Sequence, residues 1–234
     1  MTMQHPLIQK LWRFFKIGLI IFLIFSVSGV LIYRFFPVPF TPLMCQRVIE
    51  QAIHGEKIHL RHDWIPIEKM SPNIIQAAIA GEDNNFVNHY GVDFEAIKKA
   101  QKYNKRGKRI RGASTITQQT CKNVYLWLGR NYLRKGLEVY FTFLVETVWS
   151  KERIMEVYLN VIETGNGIYG VEKASQTYFK KSSARLSQAE AALIAALLPS
   201  PRKYSATNPG PYMQKRKNQI QALMGKIETL KIEK

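Results

Sequence analysis

A run of seventeen residues without a charge, Ile17 to Tyr33, constrains this chain more than any other feature. Trp12, Phe14 and Phe15 before it and Phe35 and Phe36 after it lengthen the apolar stretch to what crosses a hydrocarbon layer about 30 Å thick. One transmembrane helix is therefore predicted over residues 17–36. Lys10, Arg13 and Lys16 precede it with no acidic residue, whereas only Arg34 follows immediately. The positive-inside bias puts residues 1–16 in the cytoplasm and the remainder on the other side of the membrane. The rival reading is a cleaved signal peptide, for which Ser26-Val27-Ser28 offers small residues at cleavage-like spacing. Against it, the apolar run continues through Ile32.

Beyond the anchor the chain is strongly basic. The formal charge is +17, and Lys10, Arg13, Lys16 and Arg34 supply four of those charges, leaving thirteen on the external part. Such a surplus calls for an anionic partner: nucleic acid, an anionic membrane surface or a phosphorylated substrate. An outward-facing anchored domain seldom meets nucleic acid, so the last two remain. Cys45 and Cys121 are too few for a scaffold of disulfides and read as small apolar residues.

No sustained two-residue alternation occurs after the anchor, and the expected fold is mainly α: one helical domain with one core. Pro37, Pro39 and Pro42 make a stiff exit from the membrane, and a first short helix is predicted over Met44–Gln51, within a linker region 37–62. The domain proper is expected over 63–234. Ser71 and Pro72 suit the start of a helix. Phe94–Ile97 reads as a short helical piece, followed by a basic run of Lys98, Lys99, Lys102, Lys105, Arg106, Lys108, Arg109 and Arg111. Residues 130–160 read as mostly helical with a restart at Ser150. Ser187 and Glu190 have capping-box spacing before an apolar helix that Pro199 and Pro201 stop. A last helix is expected from Tyr212 to about Leu230. His59 and His62 stand at i, i+3 but lack the further ligands a zinc site needs.

Four polar blocks could carry chemistry. In the first, Glu82 to Gly91, the residues Ile75, Ile79, Glu82, Phe86 and His89 share the apolar helix face for as long as the helix lasts, so Glu82 points inward. An inward carboxylate is either a paired structural group or a base with a raised pKa. The second, Gly112 to Asn123, is polar and small almost throughout, a dense donor set suited to a sugar or a phosphate. If it is helical from Thr115, then Thr115, Gln119 and either Lys122 or Asn123 share a face. The third sets Arg134 and Glu138 at i, i+4, the spacing of an ion pair. The fourth, Lys151 to Asn160, is amphipathic and leads into Gly165, Gly167 and Gly170.

Together these blocks resemble the peptidoglycan glycosyltransferases of glycosyltransferase family 51. That family's motifs E-D-x-x-F-x-x-H-x-G, G-x-S-T-I-T-Q-Q-x-x-K-N, R-K-x-x-E and K-x-x-I-x-E-x-Y-L-N occur here in order, within a match from about Trp64 to Pro209. Ala113, where the family often has glycine, is a small departure. With about 25 residues after Pro209, the chain is similar to the monofunctional members rather than the class A penicillin-binding proteins. Ser200-Pro201-Arg202-Lys203 has S-x-x-K spacing but no Lys-Thr-Gly partner motif.

The resemblance implies a lysozyme-like, two-lobed helical domain with a mobile, membrane-facing segment at about 94–112. It implies polymerisation of lipid II into β-1,4-linked glycan strands on the outer face of the bacterial inner membrane, with inversion and release of undecaprenyl pyrophosphate. Glu82 is then the expected general base. Lys122, Arg134 and Lys135 would compensate the charge of the leaving pyrophosphate. Glu138, the family's second essential acid, would orient those cations or hold a divalent metal, Mg or Mn; no organic cofactor is expected. Asp83, Phe86, His89, Ser114, Thr115, Gln119, Asn123 and Asn160 would shape the cleft, with Asp83 and His89 either catalytic or fixing the loop after Glu82. Expected partners are lipid II, the growing lipid-linked strand, the membrane and other cell-wall synthesis or division proteins, and not nucleic acid. The rivals are a membrane-anchored hydrolase or lytic transglycosylase, and a non-catalytic module binding anionic lipid.

Overall fold

A computed structural model describes residues 6–105, 107, 112–129 and 131–232. The chain divides into two compact units, residues 1–36 and 37–234. In the first, helix α1 (Pro6–Phe35) is long and apolar enough to cross a membrane, about 45 Å at the usual helical rise. It starts eleven residues before the predicted span, because nothing between Pro6 and Ile17 breaks a helix and proline suits a first turn. Lys16 folds back over the Trp12 ring at 5.4 Å, so the added turns carry the cations and aromatic rings typical of a membrane interface.

The second unit is mainly α, as expected. Its elements are α2 (Pro42–Ile53), β1 (Arg61–His62), α3 (Pro72–Glu82), α4 (Phe94–Asn104), α5 (Ile116–Tyr125), α6 (Tyr132–Val148), α7 (Lys151–Val161), β2 (Glu163–Gly165), β3 (Ile168–Tyr169), α8 (Val171–Phe179), α9 (Gln188–Leu197) and α10 (Pro211–Met224). Two helix clusters form the body: α3 packs on α9 and α10, and α5 packs on α6 and α7. Helix α9, short and without a polar face, is central to the first cluster, with Ala191, Ala192 and Ile194–Leu197 buried. Tyr158 and Leu159 of α7 and Ile116 of α5 fill the second.

The caps lie where the spacing places them. Ser71 accepts from the Asn73 amide, Ser150 from Arg153, and Ser187 from Glu190 in a reciprocal capping box. Two helices of this unit end elsewhere than expected. Helix α4 continues through Lys98, Lys99 and Lys102 to Asn104, because Asp93 caps it and Lys99 pairs with Glu95 one turn earlier. Within the basic run, Arg106, Lys108, Arg109 and Arg111 lie outside the described residues, and so does part of the segment expected to be mobile. Helix α10 ends at Met224 rather than near Leu230: Gly225 occupies its C-cap, and Gln76 of α3 donates to the carbonyls of Met224 and Ile227.

A small three-stranded sheet, ordered β1-β3-β2, also went unpredicted. Its strands are two or three residues long, too short for any alternation to register. β1 runs parallel to β3 and β2 antiparallel to it. Gly170 joins β3 to α8 at φ +76° and ψ 159°, a region essentially reserved for glycine, and a Cβ there would sit 2.6 Å from the Asn160 carbonyl oxygen. Gly170→Ala is therefore expected to cost at least about 2 kcal/mol, read as a lowered thermal midpoint of the detergent-solubilised protein.

Candidate functional site

Glu82 is the last residue of α3, and it is half-buried. Gln119, one turn into α5, donates its Nε2 to Glu82 Oε2 at 2.8 Å. Burial is the strongest influence on the acid and pushes its pKa up. The Gln119 hydrogen bond and the charges of Arg216 and Lys122 oppose the rise, and neighbouring Asp83 adds to it. Lys122, half-buried three residues beyond Gln119, has its pKa lowered first by burial. Arg134 and Lys135 lower it further, while Glu138 and Glu82 draw it back up. Two acids and three cations thus act on one another across α3, α5 and the first turns of α6.

The cations of α6 are placed against their own helix. Arg134 and Lys135 stand in its first turn, where the macrodipole favours anions. Buried Glu138, one turn on, offsets that cost by accepting from Arg134 Nη1 at 3.2 Å and from Lys135 Nζ. The i, i+4 pair expected from spacing is therefore a fork of two cations on one desolvated carboxylate. An array of Lys122, Arg134 and Lys135 at a helix N-terminus can receive a multiply charged anion.

The other predicted residues separate into those near Glu82 and those that hold it. Asp83 is buried; its carboxylate accepts from His89 Nε2 at 2.9 Å and from the Ile116 amide at the start of α5 at 3.0 Å. Phe86 is fully buried under the Lys151 ammonium, 4.7 Å from the ring centre. Thr115 is the N-cap of α5: its hydroxyl accepts from the Gln118 amide and donates to the Gly91 carbonyl at 2.6 Å. Asn160 is buried with both ends of its carboxamide on the Ile65 backbone at 2.9 Å, pinning the entry segment to α7. Asn123 is buried, and Ser114 is exposed at the mouth of α5. The structure thus brings together Glu82, Gln119, Lys122, Arg134, Lys135 and Glu138. Asp83, Phe86, His89, Thr115 and Asn160 make supporting contacts behind them.

Glu138 is a poor metal ligand in this setting. Both its oxygens are taken by cations, Lys122 adds a third positive charge nearby, and no group of three metal-ligating side chains occurs among the described residues. The donor set does not fit a divalent cation, and no step below is routed through one.

Three further residues matter to which the sequence reading gives no role in the site, although Lys151 opens the fourth motif. Glu146 of α6 is buried, accepting from Thr117 at 2.6 Å and from Lys151 at 2.8 Å. Lys151 also donates to the His89 carbonyl at 2.7 Å, so a single ammonium ties the loop after Glu82 to α6 and α7. An acid on the apolar side of α6 was a legible signal for Glu146. Arg216, on α10, donates to the carbonyl of Gly81 and acts on Glu82; nothing in its basic surroundings distinguishes it in the sequence.

With this geometry in hand, comparison with known proteins is specific. Residues 48–225 match the family described as Transglycosylase. A protein of Bdellovibrio bacteriovorus named biosynthetic peptidoglycan transglycosylase is 50% identical over 212 residues, covering 91% of this chain and 85% of that protein. Proteins of the same name from Bacteroides thetaiotaomicron (49% over 226 residues, 96% and 91% covered) and Caulobacter vibrioides (48% over 221 residues, 94% of each) are similarly close.

Lys151→Met removes the ammonium and leaves Glu146 buried with only a hydroxyl donor. The expected loss is about 3 kcal/mol of stability, measured by chemical unfolding in detergent.

Proposed function

The chain belongs to the transglycosylase family and is a peptidoglycan glycosyltransferase, and on that premise we propose a reaction in which Glu82 activates a lipid II acceptor. The substrate in this reading is a disaccharide-peptide carried on undecaprenyl pyrophosphate. Glu82 takes the proton from the 4-hydroxyl of the acceptor's N-acetylglucosamine as that oxygen attacks the anomeric carbon of the donor. The α-linked pyrophosphate leaves from the opposite face, and a β-1,4 bond forms in one inversion through an oxocarbenium-like transition state. The observation that carries this assignment is the half-buried Glu82 carboxylate, held by Gln119 and sharing an electrostatic field with three cations.

A departing pyrophosphate needs charge compensation more than it needs a proton. Lys122, Arg134 and Lys135 supply it, and each well-aimed donor of this kind contributes about 3 kcal/mol to the transition state. Glu138 then acts as the orienting acid, keeping the two α6 cations in place until a more highly charged anion arrives. A hydrolase cutting uncharged glycosidic bonds has no use for such an array, which favours synthesis over the lysozyme-like alternative. In the same reading, α1 crosses the inner membrane with its basic end in the cytoplasm. The catalytic domain faces outward, where donor and growing strand are held in the same two-dimensional film.

The assignment of Glu82 has two measurable consequences. Glu82→Gln is expected to lower lipid II polymerisation by about 10³-fold, scored as muramidase-sensitive polymer from labelled substrate. Strand synthesis at the wild-type rate would remove Glu82 from the role. The second concerns stability. Because burial raises the folded-state pKa of Glu82, the native state holds the proton more tightly than the unfolded chain does. Stability is therefore lost as pH rises from the ordinary carboxylate range through the raised value. Glu82→Gln should accordingly raise the thermal midpoint at neutral pH, and the gain should vanish below the ordinary carboxylate range.

A further inference from the structure

Glu82 is an acid in two unfavourable positions at once. It is partly desolvated, and it ends helix α3, where the unpaired carbonyls make the C-terminus negative. Both effects favour the protonated form, which cannot act as a base. A compensating cation is needed, and the structure supplies one from a helix no functional motif touches. Arg216 of α10 is half-buried, and its Nη2 donates to the carbonyl of Gly81, the residue immediately before Glu82. Around it α10 is packed closely on the end of α3: a Cβ on Gly81 would lie 3.4 Å from both Ile220 Cδ1 of α10 and Ala195 Cβ of α9. The guanidinium is thus fixed against the last turn of α3 by a hydrogen bond and by the packing of its own helix.

The other groups around the carboxylate supply no charge fixed to the end of α3, although the Gln119 hydrogen bond also favours the anion and does so more strongly than Arg216. Gln119 of α5 is neutral, Asp83 opposes ionisation, and the buried Tyr158 of α7 is uncharged. Lys122 of α5 is shared with Glu138, and in the proposed reaction it is drawn toward the pyrophosphate. Arg216 is the positive group tied directly to the backbone that carries Glu82.

We propose that Arg216 is a positioning residue for glycan polymerisation: it clamps the end of α3 and its charge keeps Glu82 in the anionic form that a general base requires. This rests on Glu82 being the base. Arg216 itself touches neither the acceptor hydroxyl nor the leaving group; it acts through the helix end and the field.

The test is the pH profile of kcat/KM for lipid II polymerisation by the full-length protein in detergent, comparing wild type with Arg216→Gln and Arg216→Lys. Arg216→Gln should move the acidic limb upward by about one pH unit, so that its loss is about tenfold below the limb and shrinks as pH rises. Arg216→Lys keeps the charge and should leave the limb near its wild-type position. A loss of equal size at every pH, or a raised KM with the limb unmoved, would overturn the proposal by making Arg216 a structural or substrate-binding residue. If Arg216→Gln does not fold, Ile220→Ala tests the same contact without altering charge. It should slow the reaction with no movement of the limb, and a moved limb would show that packing rather than charge sets the base. An active Glu82→Gln would instead overturn the reading of Glu82, whereas an inactive one beside an unmoved limb in Arg216→Gln overturns only the role of Arg216.

Discussion

The site depends on the buried carboxylate of Asp83. It receives His89 from its own loop and the first amide of α5 from across the domain, and so joins the end of α3 to the start of α5. Glu82 is the residue before it, and Gln119 and Lys122 lie in the first two turns of the helix it holds. The distance between the Glu82 carboxylate and the cations is therefore set by one hydrogen-bonded, buried acid. Such an anchor is stronger than a neutral one, because a carboxylate accepting from a backbone amide at a helix N-terminus is both charge-assisted and aligned with the macrodipole. Gly91 extends the same junction: its backbone carbonyl takes the Thr115 hydroxyl, and its φ of +76° with α6 close behind leaves room for no side chain. The first motif is thus one chemical group followed by its mounting.

Electrostatically the site inverts what stability alone would choose. An acid closes α3 and two bases open α6, each at the helix end that disfavours it. Both are compensated locally, Glu82 by Gln119 and Arg216, and the pair Arg134 and Lys135 by Glu138. The compensation is partial by design of the geometry: Lys135 remains about half exposed while its partner acid is buried. In the proposed reaction an arriving polyanion can therefore engage Lys135 from the solvent side while Glu138 still holds it from behind. That is preorganisation in the literal sense, with charge arranged before the reaction rather than during it.

Much of this was legible in the sequence, and the exceptions have physical causes. The anchor, the caps at Ser71, Ser150 and Ser187, the apolar α9 and the inward direction of Glu82 all follow from local pattern, and local pattern decided them. Four readings needed tertiary information. The strands are too short to show alternation, and α10 stops early because Gln76, on a distant helix, takes up its terminal carbonyls. Thr115 and Asn160 look like ligand donors because polar residues in a motif resemble one another on paper; only the fold shows that their hydrogen bonds are spent on Gly91 and Ile65. Arg216 lies 134 residues beyond Glu82 in a helix rich in lysine, so no spacing rule could connect the two.

With Glu82 as the base we propose, the arrangement also accounts for synthesis rather than cleavage by a single helical carboxylate. A glycosidase must protonate a poor leaving group and so commits a second carboxyl group as an acid on the far side of the bond. Here the second acid, Glu138, is buried with both its oxygens bound by cations. What lies opposite Glu82 in the electrostatic sense is positive charge, useful only if the group that departs is itself an anion. The same array discourages the reverse use of Glu82, since a neutral glycan presents nothing for Lys122, Arg134 and Lys135 to stabilise as its bond breaks. The chemistry is thus selected less by the base, which many helical folds could offer, than by the identity of what the second acid is bound to.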